Sequence, residues 1–224
     1  MHLGQRTKSL DPLIPESPTA RRILEHAREA FNERGAFAVG VREIARDLEL
    51  SPGNLSYYFP TKEALVTALV REGHAANNAL VKAPARLRSF DDLFEMIRTI
   101  MRRDLENRWL LRDYVGLLVA MPALCALHEQ MQPAREARVD AMLTSLVEAG
   151  LLDGERVNRR RPLLRQQLFT QVFFWLPAAL LSASARDPAM SLDLHARATL
   201  ALLQAYCTAV GRRQLEALLD RPGA

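Results

Sequence analysis

Asn54, Ser56, Tyr57, Tyr58 and Lys62 place an amide, a hydroxyl, two phenols and an ammonium within one short segment. Groups of these kinds donate and accept hydrogen bonds at base edges and at phosphate oxygens. They are not a hydrolytic or redox set, since no Gly-rich phosphate loop, nucleophile elbow or paired-carboxylate constellation stands anywhere in the chain. His26, His74, His128 and His195 fall on separate predicted helices without metal-ligand spacing, which argues against a metal site. Cys125 and Cys207 are far apart, each in an apolar helical context, and read as reduced core thiols. No enzymatic activity, metal or cofactor is expected from this inventory.

The elements that must hold those polar groups can be read from caps and periodicity. Ser51 stands where an N-cap belongs and Pro52 follows at the first helical position, where its missing N–H costs nothing. In the helix that follows, Leu55 and Phe59 share a face, which turns Asn54, Ser56, Tyr57 and part of Tyr58 away from the core. A preceding helix over Val41–Leu48 puts Val41, Ile44, Ala45 and Leu48 on one face and Arg42, Glu43, Arg46 and Asp47 on the other. Two short helices joined by a tight turn match a helix-turn-helix, whose second helix enters the DNA major groove. A third wall comes from a helix capped by Ser17, with Pro18 at its first position and Ile23, Leu24, Ala27, Ala30 and Phe31 on its buried face, closed by Gly35. Thr61 caps a long helix with Leu65, Val66, Leu69 and Val70 as its stripe, running to near Pro84. Because it starts against the recognition helix, it is a candidate lever.

The chain has 224 residues, of which 49% are hydrophobic and ten are Gly, and no run alternates convincingly as strands do. The fold class expected is all-α, with a flexible arm over 1–17, a three-helix helix-turn-helix domain over 18–62 and a larger helical ligand-binding and dimerisation domain over 63–224. Arg6 and Lys8 would let the arm reach a minor groove. About five helices are expected in the larger part. Phe90–Glu106 comes first; Trp109–Ala120, apolar on most sides, reads as central; another runs from about Pro133 to Gly150. Pro162–Ala185, kinked at Pro177, reads as the most buried, and one final helix begins at Ser191. Trp109, Tyr114, Phe173, Phe174 and Trp175 are either pocket lining or plain core. The amino terminus has no continuous apolar region of a signal peptide, and Leu168–Leu181 is too short and polar for a span, so a cytoplasmic protein with no membrane partner is expected. Net charge is +4, yet residues 1–62 hold nine basic against eight acidic residues, so overall basicity does not support DNA binding. The surplus lies further on, in residues such as Arg156, Arg159, Arg160, Arg161 and Arg165.

With these residues in view, the sequence resembles the TetR-type family of bacterial transcriptional regulators. The likeness runs through Ala20–Leu24, Ala27, Ala30, Phe31, Gly35, Val41, Ile44 and Ala45, then through SPGNLSYYFPTKEAL from Ser51 to Leu65. It implies a homodimer whose carboxy-terminal helices bury the interface and enclose a pocket for a small apolar or amphipathic effector, which tilts the helix after Lys62. It further implies that Pro52, Gly53, Asn54, Ser56, Tyr57 and Tyr58 face the groove of double-stranded DNA or its phosphates, that Lys62 holds a phosphate and that Arg42 contacts the backbone. The implied function is a repressor that binds an inverted repeat and is released by a small molecule. Two departures stand out: Ser56 replaces a usual Tyr, and Gly40 replaces the usual Ser or Thr, so one or two phosphate contacts are missing. The competing reading is a helical small-molecule-binding or interaction protein of the same fold that reads no operator.

Overall fold

Helix starts in this chain are set by side chains that accept from the backbone. Ser17 accepts from the Ala20 N–H at 3.0 Å, Ser51 from Asn54 at 3.1 Å and Thr61 from Ala64 at 3.1 Å. Each satisfies a donor that the first turn of a helix leaves over. The computed structural model describes residues 17–82, 87–181 and 191–221, the side chains of 76–82 excepted. The arm expected before Ser17, the helix end near Pro84 and the break at Arg186–Pro188 lie outside these residues. The described residues are helical with no strand, apart from one isolated bridge between Leu152 and Cys207.

The chain divides into two compact units, one up to Ala76 and one from Asn77 onward. In the first, α1 (Pro18–Arg34), α2 (Val41–Asp47), α3 (Pro52–Tyr58) and the start of α4 (Lys62–Lys82) enclose one core. Ile23, Leu24, Phe31, Ile44, Leu55, Leu65 and Leu69 are all buried in it. Leu55 is the one buried residue of α3. Its burial, worth about 1.5–3 kcal/mol, sets the rotation of the helix. Between α2 and α3 the chain turns through Glu49, which has φ 56°. Glu49 N–H bonds to Arg46 O at 3.0 Å and Leu50 N–H to Ala45 O at 2.8 Å, a Schellman closure with a non-glycine residue at its left-handed position. Arg22 donates to Leu48 O at 2.9 Å and ties this turn to α1.

The second unit contains α5 (Phe90–Glu106), α6 (Arg108–Ala120), α7 (Pro122–Glu148), α8 (Gly154–Phe173), α9 (Trp175–Leu181), α10 (Leu192–Ala201) and α11 (Ala209–Leu219). The α5 bounds are those read from the sequence, because Ser89 and Asp92 form a reciprocal cap there. Four other expectations are corrected. α6 is amphipathic, with Trp109, Leu111, Tyr114 and Leu117 buried and Val115 and Val119 exposed. The helix expected from Pro133 begins at Pro122; Pro133 sits inside it, exposed together with Glu129, so the carbonyl left unbonded four residues back lies on the solvent face. The helix expected over Pro162–Ala185 starts at Gly154 and breaks at Phe174, which places Pro177 at the third position of α9, where no intrahelical N–H bond is required. It is not the most buried helix either, since Leu163 and Leu181 are exposed. The final helix is interrupted by a 3-10 turn at Gln204–Tyr206. There Asp153 N–H bonds to Tyr206 O at 2.8 Å and Thr208 N–H to Leu151 O at 3.0 Å, drawing backbone groups out of the helical ladder.

One half-buried acid stands inside this second unit. The Trp175 indole N–H donates to Asp104 Oδ2 at 2.9 Å. Burial pushes the Asp104 carboxyl up to about 7, against the downward pull of that indole hydrogen bond. A carboxyl whose folded value lies above its unfolded one binds its proton more tightly in the native state. Stability is therefore highest below about pH 4 and falls as pH rises toward 7. Asp104→Asn keeps an acceptor for the indole and removes the titration. We expect it to gain about 1–2 kcal/mol at pH 8 and almost nothing near pH 4, a value kept below the full shift because the residue retains some exposure. Denaturant melts at the two pH values measure this, and an equal gain at both would contradict it.

Candidate nucleic-acid interface

The polar side of α3 is built by three local features. Ser51 and Pro52 start the helix abruptly, Leu55 and Phe59 anchor it to α2, and the remaining side chains have no room in the core. Pro52, Gly53, Asn54, Ser56 and Tyr57 are all exposed, Tyr57 at 81%. Tyr58 is half-buried, with its ring edge-on to that of Tyr57 at 5.1 Å between centroids. Tyr58 thus buttresses Tyr57 and limits its rotamers. The surface assembled is a phenol, an amide and a hydroxyl on one short rigid helix.

Gly53 adds a negative print to this surface. A Cβ there would meet nothing within 4 Å among the described residues, and its φ is not in the left-handed region. Glycine within a helix costs about 0.5–1 kcal/mol relative to alanine. No internal contact explains that cost, whereas an external partner approaching the backbone closely would.

Arg42 is exposed on α2, whereas Ile44 and Ala45 are buried. Two of its cationic neighbours are engaged. Arg34 pairs with Glu43, holding that carboxyl below its ordinary range together with the Gly40 N–H, and Arg46 meets Asp47 at 3.3 Å. Gly40 itself offers no side chain to cap α2, so the cap consists only of Glu43 reaching back to the Gly40 N–H at 3.4 Å.

Lys62 has a backbone partner within the fold. Its Nζ donates to the Phe37 carbonyl at 3.2 Å, and partial burial pushes its ammonium down from the ordinary lysine value. An ammonium has three donors, so the Phe37 carbonyl positions it and leaves two for an outside acceptor. Sequence reasoning missed this anchor, because a backbone carbonyl has no side-chain signature; the apolar run Ala36–Val39 was the only pointer to an ordered loop. Among the described residues no group of His, Cys, Asp and Glu could hold a metal ion. No single described helix is long and apolar enough to cross a membrane.

Comparison with known proteins places this arrangement. The family of bacterial regulatory proteins of the tetR type matches residues 23–69, from within α1 to the first turns of α4. A second TetR model, described as bacterial transcriptional repressor, matches residues 74–215, well over half of the chain. The chain belongs to the TetR family of bacterial transcriptional regulators. Among TetR-family relatives, the HTH-type transcriptional regulator UidR of Escherichia coli K12 is 28% identical over 111 residues, covering 49% of this chain and 57% of that protein. The chain thus matches little more than half the length of this curated relative. A TetR-family regulator from Marinobacter aquaeolei VT8 superposes with a TM-score of 0.78 at 21% identity, covering 90% of this chain and 98% of that one. A TetR-family structure from Mesorhizobium loti gives 0.62 at 24% identity over 86% of this chain. At these identities the two structures establish the fold, and they share the amino-terminal helix-turn-helix followed by a helical carboxy-terminal part.

Proposed function

We propose that the chain is a homodimeric repressor that binds an inverted repeat in double-stranded DNA and is released by a small apolar or amphipathic effector. The observation that carries this reading is the exposed polar face of α3 next to a glycine that nothing inside the fold requires. Asn54, Ser56 and Tyr57 would reach base edges or phosphates, Tyr58 would support Tyr57, and Pro52 and Gly53 would lie against the backbone. Arg42 and Lys62 would hold phosphates and so fix register. Ser56 and Gly40 remove contacts of the positioning kind, which lowers affinity without abolishing sequence choice.

Support for two copies comes from α8 and α9, where Leu163 and Leu181 are exposed at 66% and 89%, with Phe174 between them. Large exposed apolar groups of this kind are available to a partner's surface. Support for a lever comes from α4, which is one uninterrupted helix from Lys62, beside the recognition helix, to Lys82.

The test is fluorescence anisotropy of the labelled upstream duplex against random duplex at about 0.15 M salt, where a specific complex is expected to be at least about a thousandfold tighter. Equal affinity for both duplexes would leave a helical binding protein without an operator.

A further inference from the structure

The loop between α1 and α2 turns a large ring outward. Gly35, at φ 89°, ends α1 with its N–H on the Phe31 carbonyl at 2.8 Å. Ala36 and Val39 are then sealed in the core, at 0% and 1% exposure, and pin the loop from inside. Phe37, between them, is 55% exposed, and Ala38 and Gly40 are exposed as well. Full burial of a phenylalanine is worth about 1.5–3 kcal/mol, yet here smaller residues take the inner positions and the ring stays in water.

A single exposed apolar side chain is ordinary on a protein surface, and it is position that gives this one a role. The Phe37 carbonyl accepts from Lys62 Nζ at 3.2 Å. That bond brings the Cα carrying the ring to within about 5–6 Å of the ammonium. An anion held by Lys62 therefore has this ring as a neighbour. Net charge gives this part of the chain little help with a polyanion. Residues 1–62 hold nine basic against eight acidic residues, and Arg28, Arg34 and Arg46 pair with Glu72, Glu43 and Asp47. Counterion release, the usual source of sequence-independent affinity, scales with the number of phosphates neutralised. A unit with this balance needs a further source of affinity, and an apolar contact supplies one without charge.

We propose that Phe37 is a DNA-backbone contact, its ring packed on the deoxyribose next to the phosphate that Lys62 holds. Sugar carbons are the apolar part of the backbone and are the same at every base pair, so the contact adds affinity and fixes register without choosing sequence. One residue then does two things: its carbonyl aims the ammonium at the phosphate, and its ring covers the adjoining sugar. The inference rests on the DNA-binding reading above and adds to it a residue outside α3.

The test titrates the full chain onto two labelled duplexes, the upstream sequence and a random one, by anisotropy at several salt concentrations. Phe37→Ala removes the ring and keeps the backbone carbonyl, so Lys62 stays tethered and denaturant melts should match the parent. Affinity for both duplexes should fall by about fivefold or more, while the ratio between them and the slope of log Kd against log salt stay unchanged. Phe37→Tyr, which keeps the ring, should bind as the parent does. Lys62→Met should differ in kind, lowering the salt slope by about one per protomer. Parent-like affinity in Phe37→Ala would overturn the proposal and leave the regulator reading intact. A loss confined to the upstream duplex would also overturn it, since the ring would then be reading bases. If the parent binds both duplexes equally and Phe37→Ala weakens both, the contact stands and the operator reading fails. A parent that binds neither duplex would sink both.

Discussion

Tyr57→Ala is expected to weaken binding to the specific duplex by about 1–3 kcal/mol while leaving folding stability within about 0.5 kcal/mol of the parent. The two halves of this expectation have separate physical grounds. Tyr57 is 81% exposed, with its ring against that of Tyr58, so its removal opens no cavity and strands no buried donor. Its loss can be felt only by something outside the chain. Tyr57→Phe divides the effect further, since it keeps the ring and removes the hydroxyl; a phosphate or base hydrogen bond would disappear with the hydroxyl, whereas stacking or groove packing would survive. Anisotropy titrations of the three proteins, paired with denaturant melts, measure both quantities. A loss of affinity below about 0.5 kcal/mol would mean that α3 does not meet DNA through this residue.

The second large effect concerns stability. A Cβ built on Gly211 would lie 2.0 Å from the Leu151 carbonyl oxygen and 2.8 Å from its carbon, and both are backbone atoms that cannot swing aside. They are held by Thr208, whose N–H donates to Leu151 O at 3.0 Å and whose hydroxyl donates to Gly150 O at 2.7 Å while accepting from Gly211 N–H. Gly211→Ala should therefore cost about 3 kcal/mol or more, at the upper end of overpacking changes. Gly73→Ala is the matched control. It lies inside α4 with nothing among the described residues within 4 Å of its Cβ, and the same substitution there should stabilise by about 0.5–1 kcal/mol. Opposite signs in denaturant melts are the expected result, and a neutral Gly211→Ala would mean that the junction of the 149–153 turn with α11 is looser than described.

Helices with a sequence-coded start were legible, because a cap is written in a side chain. Ser17, Ser51 and Thr61 each marked a helix start that the structure keeps. Ends were legible as well, at Glu106, Ala120 and within a residue of Leu48. α2 and α7 close by the same Schellman pattern, with Gly150 at the left-handed position of the second and Glu49, at φ 56°, at that of the first, a role its residue type does not signal. Proline misled twice in the same way, since Pro133 and Pro162, read as helix starts, lie inside helices that expose them. The exposed polar side of α3 followed from the spacing of Leu55 and Phe59. The Lys62 tether to Phe37 did not, nor did the Asp104–Trp175 bond, which joins residues far apart in sequence.

Hydroxyl-radical footprinting of the protein on its upstream DNA tests the central proposal most directly. Two α3 helices in successive major grooves should protect two half-sites on one face of the duplex, centred roughly 34–36 Å apart, or a whole number of turns apart, and related by inverted sequence. The protection should fade in parallel for Tyr57→Ala. A single protected patch, or uniform protection without a preferred position, would contradict a dimer that reads DNA through Pro52–Tyr58.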